Sequence, residues 1–258
     1  MELIDTHCHL DVSEFDADRP QILQQCHASG IRRIVVPAIA AAGWDNLLEL
    51  CRAEAGLYPA LGLHPVFLDA HTGADLASLA GKVADTRPVA VGEIGLDFSF
   101  PDLDKVRQQA LFEAQLKVAR EADLPVLLHV RKAHDAVLAA LRQIRVPGGI
   151  AHAFNGSLQQ AEHYLKLGFK LGFGGTLTYD GSRKIHALAQ ALPAEAIVLE
   201  TDAPDMVVAG HRGERNSPAY LVDVLAALAR VRAQPAEELA AITTRNACEV
   251  LGLDGAAQ

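Results

Sequence analysis

Positive charge is scarce in this chain: 23 lysines and arginines stand against 32 aspartates and glutamates in 258 residues, a formal net charge of −9. Proteins that grip nucleic acid along its backbone need the opposite balance, because cations that displace counterions from phosphates supply their affinity. Tight, non-specific duplex binding is therefore excluded as the main activity. Cysteine is sparse too. Cys8, Cys26, Cys51 and Cys248 are spread along the chain and form no C-x-x-C pair, which excludes a disulfide framework and fits a reduced, cytoplasmic protein. No apolar stretch approaches the length of a membrane span, and Met1-Glu2-Leu3-Ile4-Asp5 lacks the basic start of a signal peptide. Repeats, linkers and low-complexity tracts are missing as well, and no stable protein partner is implied. A chain that is 50% hydrophobic can fill one core, so a single domain over residues 1–258 is expected.

What is present begins at once with Ile4-Asp5-Thr6-His7-Cys8-His9. Two histidines one residue apart, at the end of a short apolar strand, project to the same side of it. Imidazole is the commonest protein ligand for zinc-like cations, so the pair reads as half a metal site. Alternation turns Cys8 the other way, as a packed thiol rather than a ligand. Four more candidates stand where apolar runs stop: Glu93 after Val89 to Gly92, His129 after Pro125 to Leu128, His152 after Gly149 to Ala151, and Asp202 after Ala196 to Thr201. Short apolar runs without alternation, bounded by turn residues, are the mark of buried parallel strands. Glu2 to Ile4, Arg33 to Ala38, Leu57 to Leu61 and Phe169 to Phe173 bring the number of such runs to eight.

Helical segments lie between them, at Pro20 to Ser29, Asn46 to Ala55, Ala74 to Ala84, Val106 to Ala122, His134 to Ile144, Leu158 to Leu167, Ser182 to Ala191 and Ala219 to Arg232. Asp18-Arg19-Pro20 and Ser217-Pro218 are start signals, and Gly30, Gly56 and Gly168 are stop signals. A ninth helix, from Pro235 to about Leu251, closes the series. Eight alternations in about 250 residues predict an α/β fold, a (β/α)8 TIM barrel with an extra C-terminal helix. An open doubly wound sheet rarely needs eight strands with ligands at so many strand ends. Barrel active sites lie at the C-terminal ends of the strands, so His7, His9, Glu93, His129, His152 and Asp202 are expected at one rim. A carboxylate has two oxygens, and Glu93 could bridge two cations.

Seven segments together resemble the TatD family of metal-dependent deoxyribonucleases, within the amidohydrolase superfamily: IDTHCHLD (4–11), ALGLHP (60–65), AVGEIGLD (90–97), LPVLLHVRKAHD (124–135), AHAFNGS (151–157), LGFGGTLTY (171–179) and LETDAPDM (199–206). The resemblance runs from Ile4 to Leu253. It implies a first divalent metal on His7, His9, Glu93 and Asp202, and a second on Glu93, His129 and His152. It also implies phosphodiester hydrolysis, with DNA or a small phosphodiester as substrate and zinc, magnesium or manganese as metal. Relatives in the superfamily that cleave amides or phosphotriesters often carry a carboxylated lysine on strand 4, where this chain has Glu93. Val130 after the strand 5 histidine and Asp205-Met206 after Asp202-Ala203-Pro204 depart from many TatD nucleases and mark a particular subgroup. Hydrolysis of a carboxylic ester, lactone or amide at the same metals is the alternative reading.

Around this centre, Asp202 is the expected general base. His64, in Leu63-His64-Pro65, and Arg131 are expected to contact substrate, with Lys132, Arg212 and Arg215 as further basic candidates. Asp5 is expected to orient a ligand histidine. Asn155, Tyr179 and the Gly172-Phe173-Gly174-Gly175 run read as ordinary loop and turn features.

Overall fold

Each apolar run becomes a strand because its residues are covered on both faces, by the barrel interior and by a helix. In the computed structural model, which describes residues 1–253, the strands are β1 (Leu3–Asp5), β2 (Ile31–Pro37), β3 (Leu57–Leu61), β4 (Ala90–Asp97), β5 (Val126–Arg131), β6 (Gly149–Ala151), β7 (Phe169–Phe173) and β8 (Ile197–Leu199). The helices are α1 (Arg19–Ala28), α2 (Trp44–Ala53), α3 (Gly73–Thr86), α4 (Lys105–Ala122), α5 (His134–Gln143), α6 (Leu158–Lys166), α7 (Arg183–Ala191), α8 (Leu221–Arg232) and α9 (Ala236–Leu251). All strands run parallel and pair in chain order from β1 to β8. This is the (β/α)8 barrel that the alternation predicts, with α9 as the additional helix. Among the described residues, no helix is long and apolar enough to cross a membrane.

The seam between β8 and β1 is closed just beyond the strand ends. The Thr6 N–H and hydroxyl both donate to the Leu199 carbonyl at 3.0 Å, and the Asp202 N–H donates to His7 O at 2.8 Å. Asp5 adds a side-chain latch: its buried carboxylate accepts from the N–H groups of His7 (3.2 Å) and Thr201 (3.0 Å) and from the Thr201 hydroxyl (2.6 Å). The other end of the barrel is floored by α9. Ile4, Val35, Ala60, Ala90, Leu127, Ile150 and Val198, one from each of seven strands, form an apolar cluster with Ala247, Cys248 and Leu251 of α9.

Local signals set the helix ends. Thr72 and Asp75 form a capping box on α3, Ser157 and Gln160 form one on α6, and Asp104 caps α4. Gly30 and Gly56, at φ +84° and +89°, make the left-handed turns into β2 and β3. Asp18 departs from its expected role. Its side chain does not cap α1 but takes both guanidinium nitrogens of Arg215, at 3.0 and 2.7 Å.

Candidate metal centre

The segment after β1 is held extended from both sides. The His9 N–H bonds Ala203 O (2.8 Å) beyond β8, and the Cys8 N–H bonds Val35 O (3.1 Å) in β2. Both imidazoles therefore turn inward, while Cys8 packs fully buried against the barrel wall with Sγ 3.7 Å from Ala203 O. Glu93 departs from the strand-end position expected for it. It is the fourth residue of an eight-residue β4, where the register against β5 shifts between Val91 and Ile94 and gives the side chain its inward aim. His129 likewise lies inside its strand rather than after it, as the fourth of the six residues of β5, while His152 follows β6, and Asp202 sits past β8 in a left-handed conformation (φ 58°) that aspartate tolerates.

These six side chains meet around the Glu93 carboxylate. Its Oε2 lies 3.1 Å from His7 Nε2 and 3.5 Å from His9 Nε2, and both nitrogens lie 3.8 and 3.7 Å from Asp202 Oδ1. Its Oε1 faces the other way, 3.1 Å from His129 Nδ1 and 3.4 Å from His64 Nε2. His152 stacks on His7 (ring centroids 3.8 Å apart) and reaches Asp202 Oδ2 at 3.5 Å through Nε2. Three sets of donor atoms are compact enough for an ion: His7, Glu93 and His152; His7, His9 and Asp202; His64, Glu93 and His129. His129 and His152 fall in different sets.

The donor chemistry fits a metal. Ligands 2.0–2.2 Å from a tetrahedral zinc-like ion lie about 3.3 Å from one another, close to the spacings here. The outer nitrogens tell which way the lone pairs point. His9 Nδ1 donates to Pro37 O (3.1 Å), and His129 Nε2 donates to Asp97 Oδ2 (2.9 Å). With those protons outside, the inner nitrogens of the neutral rings aim lone pairs at Glu93 and Asp202, an arrangement that repels unless a cation lies between. A proton can serve where no metal is bound. Burial disfavours a charged His9, but the Glu93 hydrogen bond and the Glu93 and Asp202 charges raise it to about 9. Burial likewise opposes, and the Glu200 and Asp202 charges outweigh it, in raising His152. Against its own burial, Asp202 is held at about 2, chiefly by His152, and Glu93 well below the carboxylate range, chiefly by His7.

Comparison with known proteins agrees with this architecture. The family model described as TatD related DNase matches residues 4–252. The chain belongs to this family. A relative from Escherichia coli K12, named the uncharacterized metal-dependent hydrolase YjjV, is 42% identical over 247 residues, covering 94% of this chain and 95% of the relative. The crystal structure of YjjV, a TatD homologue, superposes with a TM-score of 0.93 at 41% identity, over 96% of this chain and 97% of that one. A protein of Klebsiella pneumoniae named 3′-5′ ssDNA/RNA exonuclease TatD is 30% identical over 260 residues, covering 98% of each chain. The protein is thus a TatD-family metal-dependent hydrolase.

Two carboxylates of this TatD-family hydrolase escaped the sequence reading. Asp97 closes β4, fully buried, and holds His129 from outside; the Ser99 N–H and hydroxyl bond its other oxygen. Glu200 is equally buried. Its Oε1 accepts from the Ala153 N–H (2.6 Å) and lies 3.1 Å from His152 Nδ1, off the line of an aligned hydrogen bond, while Oε2 has no hydrogen-bond partner among the described residues. The glycine run serves this packing. A Cβ on Gly172 would collide with Oε2 of Glu200, and one on Gly175 with Met206 O. Both charges stood at the ends of buried runs, the same signal that marked the ligands, but their partners were not visible.

Asp5 orders the centre through backbone, pinning the His7 N–H to residue 201. Of the basic candidates, Arg131 at the end of β5 and Lys132 just after it are both exposed. Arg215 is taken up by Asp18 and stacks over Phe15, and Arg212 lies over the Tyr179 ring. Tyr179 donates to Val207 O, and Asn155 accepts from His134 Nε2, so both have the structural duties expected of loop residues.

Cys8→Ser should keep the wild-type metal content, whereas His9→Ala should lose metal. Cys8 is buried on the side away from Glu93, and serine can keep the bond to Ala203 O. Elemental analysis of both purified proteins after metal loading checks this; comparable loss in the two would make the thiol a ligand.

Proposed function

We propose that this protein hydrolyses phosphodiesters with two divalent cations, DNA or a small phosphodiester being the substrate. One observation carries the reading: Glu93 turns Oε2 toward His7 and His9 and Oε1 toward His129, as a bridging carboxylate must; His152, which stacks on His7, would have to reach across to the second cation. In this proposal His7, His9, Glu93 and Asp202 hold the first cation, and Glu93, His129 and His152 hold the second. Of zinc, manganese and magnesium, zinc suits these imidazole-rich donors best, and magnesium, which prefers oxygen ligands, suits them least. Bound cations lower the pKa of water and polarise a phosphoryl oxygen. Asp202 accepts the proton that the attacking water gives up. Arg131, exposed at the rim, meets the substrate phosphate.

The net charge of −9 argues against a long electrostatic footprint on duplex. A strand held mainly at its reacting phosphate suits it better, and the name of the Klebsiella relative, an ssDNA/RNA exonuclease, supports this. Four cysteines with no disulfide among the described residues suit a reducing, cytoplasmic setting.

The test is chelation followed by add-back of magnesium, manganese or zinc, assayed on single-stranded DNA, RNA, a small phosphodiester and a carboxylic ester panel. Phosphodiester cleavage should vanish on chelation and return with metal. Add-back at pH 7.5 should also release protons, because His9, at about 9 without metal, must lose its proton to ligate. Metal affinity should then fall as pH drops. Full activity in protein shown by elemental analysis to be metal-free would refute the reading.

A further inference from the structure

His64 lies within ligand distance of Glu93 and His129, yet its outer nitrogen is wired the opposite way from theirs. Where His9 and His129 donate their outer N–H to an oxygen, His64 Nδ1 accepts one, from the Val66 N–H at 3.2 Å. A neutral imidazole carries a single proton. With Nδ1 occupied as acceptor, that proton sits on Nε2, the atom that points into the centre. An N–H has no lone pair to give a metal. The neighbouring groups agree: His129 Nε2 donates to Asp97, so in the neutral, ligating ring Nδ1 carries a lone pair, and it stands 3.1 Å from His64 Nε2. One direction of donation runs through the chain, from Val66 N–H through His64 and His129 to Asp97.

The residue is also fixed, its main chain by hydrogen bonds and its ring by packing. The His64 N–H bonds Ile39 O (2.9 Å), its carbonyl accepts from His71 Nε2 (2.8 Å), and the Phe67 ring packs edge-on at 5.6 Å. Arg107 pins the following loop through Leu68 O (2.8 Å) and His71 O (3.0 Å). His64 is 7% exposed, so its Nε2–H is a preoriented donor at the edge of the site rather than a mobile surface group.

We infer that His64 is not a metal ligand but a catalytic hydrogen-bond donor, which presents Nε2–H to the oxygen that gains negative charge as the substrate is hydrolysed. With His129 and Glu93 engaged in holding a cation, the His64 Nε2–H would be released from the two groups it now faces. It is then free to bond a non-bridging phosphoryl oxygen, or the carbonyl oxygen of an ester. A preoriented donor of this kind contributes about 10²–10³ in rate. The inference rests on the hydrolytic reading for its consequence, but not for its geometry.

The tests separate the two. In chelated, 15N-labelled wild type, long-range 1H–15N correlation should show His64 protonated at Nε2 and bare at Nδ1. His64→Gln and His64→Ala, reloaded with manganese or zinc, should carry as many metal ions per chain as wild type. On a small phosphodiester His64→Ala should lose roughly 10²–10³ in kcat. His64→Gln, whose amide can place an N–H near the Nε2 position, should recover part of that loss. Loss of one metal ion in both variants, or an Nδ1–H tautomer in wild type, would overturn the inference. So would full metal content with unchanged kcat in His64→Ala. If wild type binds metals but cleaves only carboxylic esters, the phosphodiester reading fails, while metal counts and tautomer still decide the role of His64.

Discussion

Glu93→Gln should empty most of one metal position and lower phosphodiester turnover by roughly a hundredfold or more. Glutamine keeps the volume of a side chain that is 1% exposed, so the barrel should fold. What it loses is charge and symmetry. The carboxylate meets His7 and His9 through Oε2 and His129 through Oε1. An amide offers an acceptor to one group and an N–H to the other, and that N–H would point at a lone pair or a cation. One metal should remain, weakly, on His7, His9 and Asp202, with the second position largely empty. Elemental analysis of reloaded protein, paired with kcat on a small phosphodiester, decides this. Two metals per chain with near wild-type turnover would mean that Glu93 is not a bridge.

The site was legible in the sequence to the extent that strand ends are. His7, His9, His129, His152 and Asp202 each followed an apolar run, and in a parallel barrel such positions share a rim. Glu93 and His129 were found by the same rule yet lie inside their strands, four and two residues short of the ends of β4 and β5, because both strands continue past the apolar run and, in β4, no alternation marks the end. The outer layer was unreadable for a different reason. A sequence shows which charges exist but not which imidazole nitrogen each one touches, and that contact sets the tautomer. Asp97 reaches His129 across 32 residues, and Val66, two residues from His64, reverses the proton on that ring. Arg215 illustrates the converse: a plausible substrate cation is consumed by Asp18, 197 residues away.

Asp202→Asn should give the complementary signature, metal kept and chemistry lost. Asparagine retains an oxygen that can face His7 and His9 Nε2, now at 3.8 and 3.7 Å from Oδ1, and it leaves Glu93 and His129 untouched; only His152, 3.5 Å from Oδ2, meets the new amide group. Both metals should therefore bind, the first less tightly, and at saturating metal the count should approach wild type. The amide cannot take a proton from water. General base catalysis contributes about 10²–10⁴ in rate, and kcat should fall by that amount. Raising the pH should restore part of the loss, since hydroxide needs no base, so the variant's profile should climb more steeply than that of wild type in the alkaline range. The variant should also differ from Glu93→Gln in that added metal leaves its kcat unchanged once both sites are filled. If Asp202→Asn turns over at near wild-type rate with both metals bound, the proton goes elsewhere, and His152, whose Nε2 lies 3.5 Å from Asp202 Oδ2, becomes the group to test.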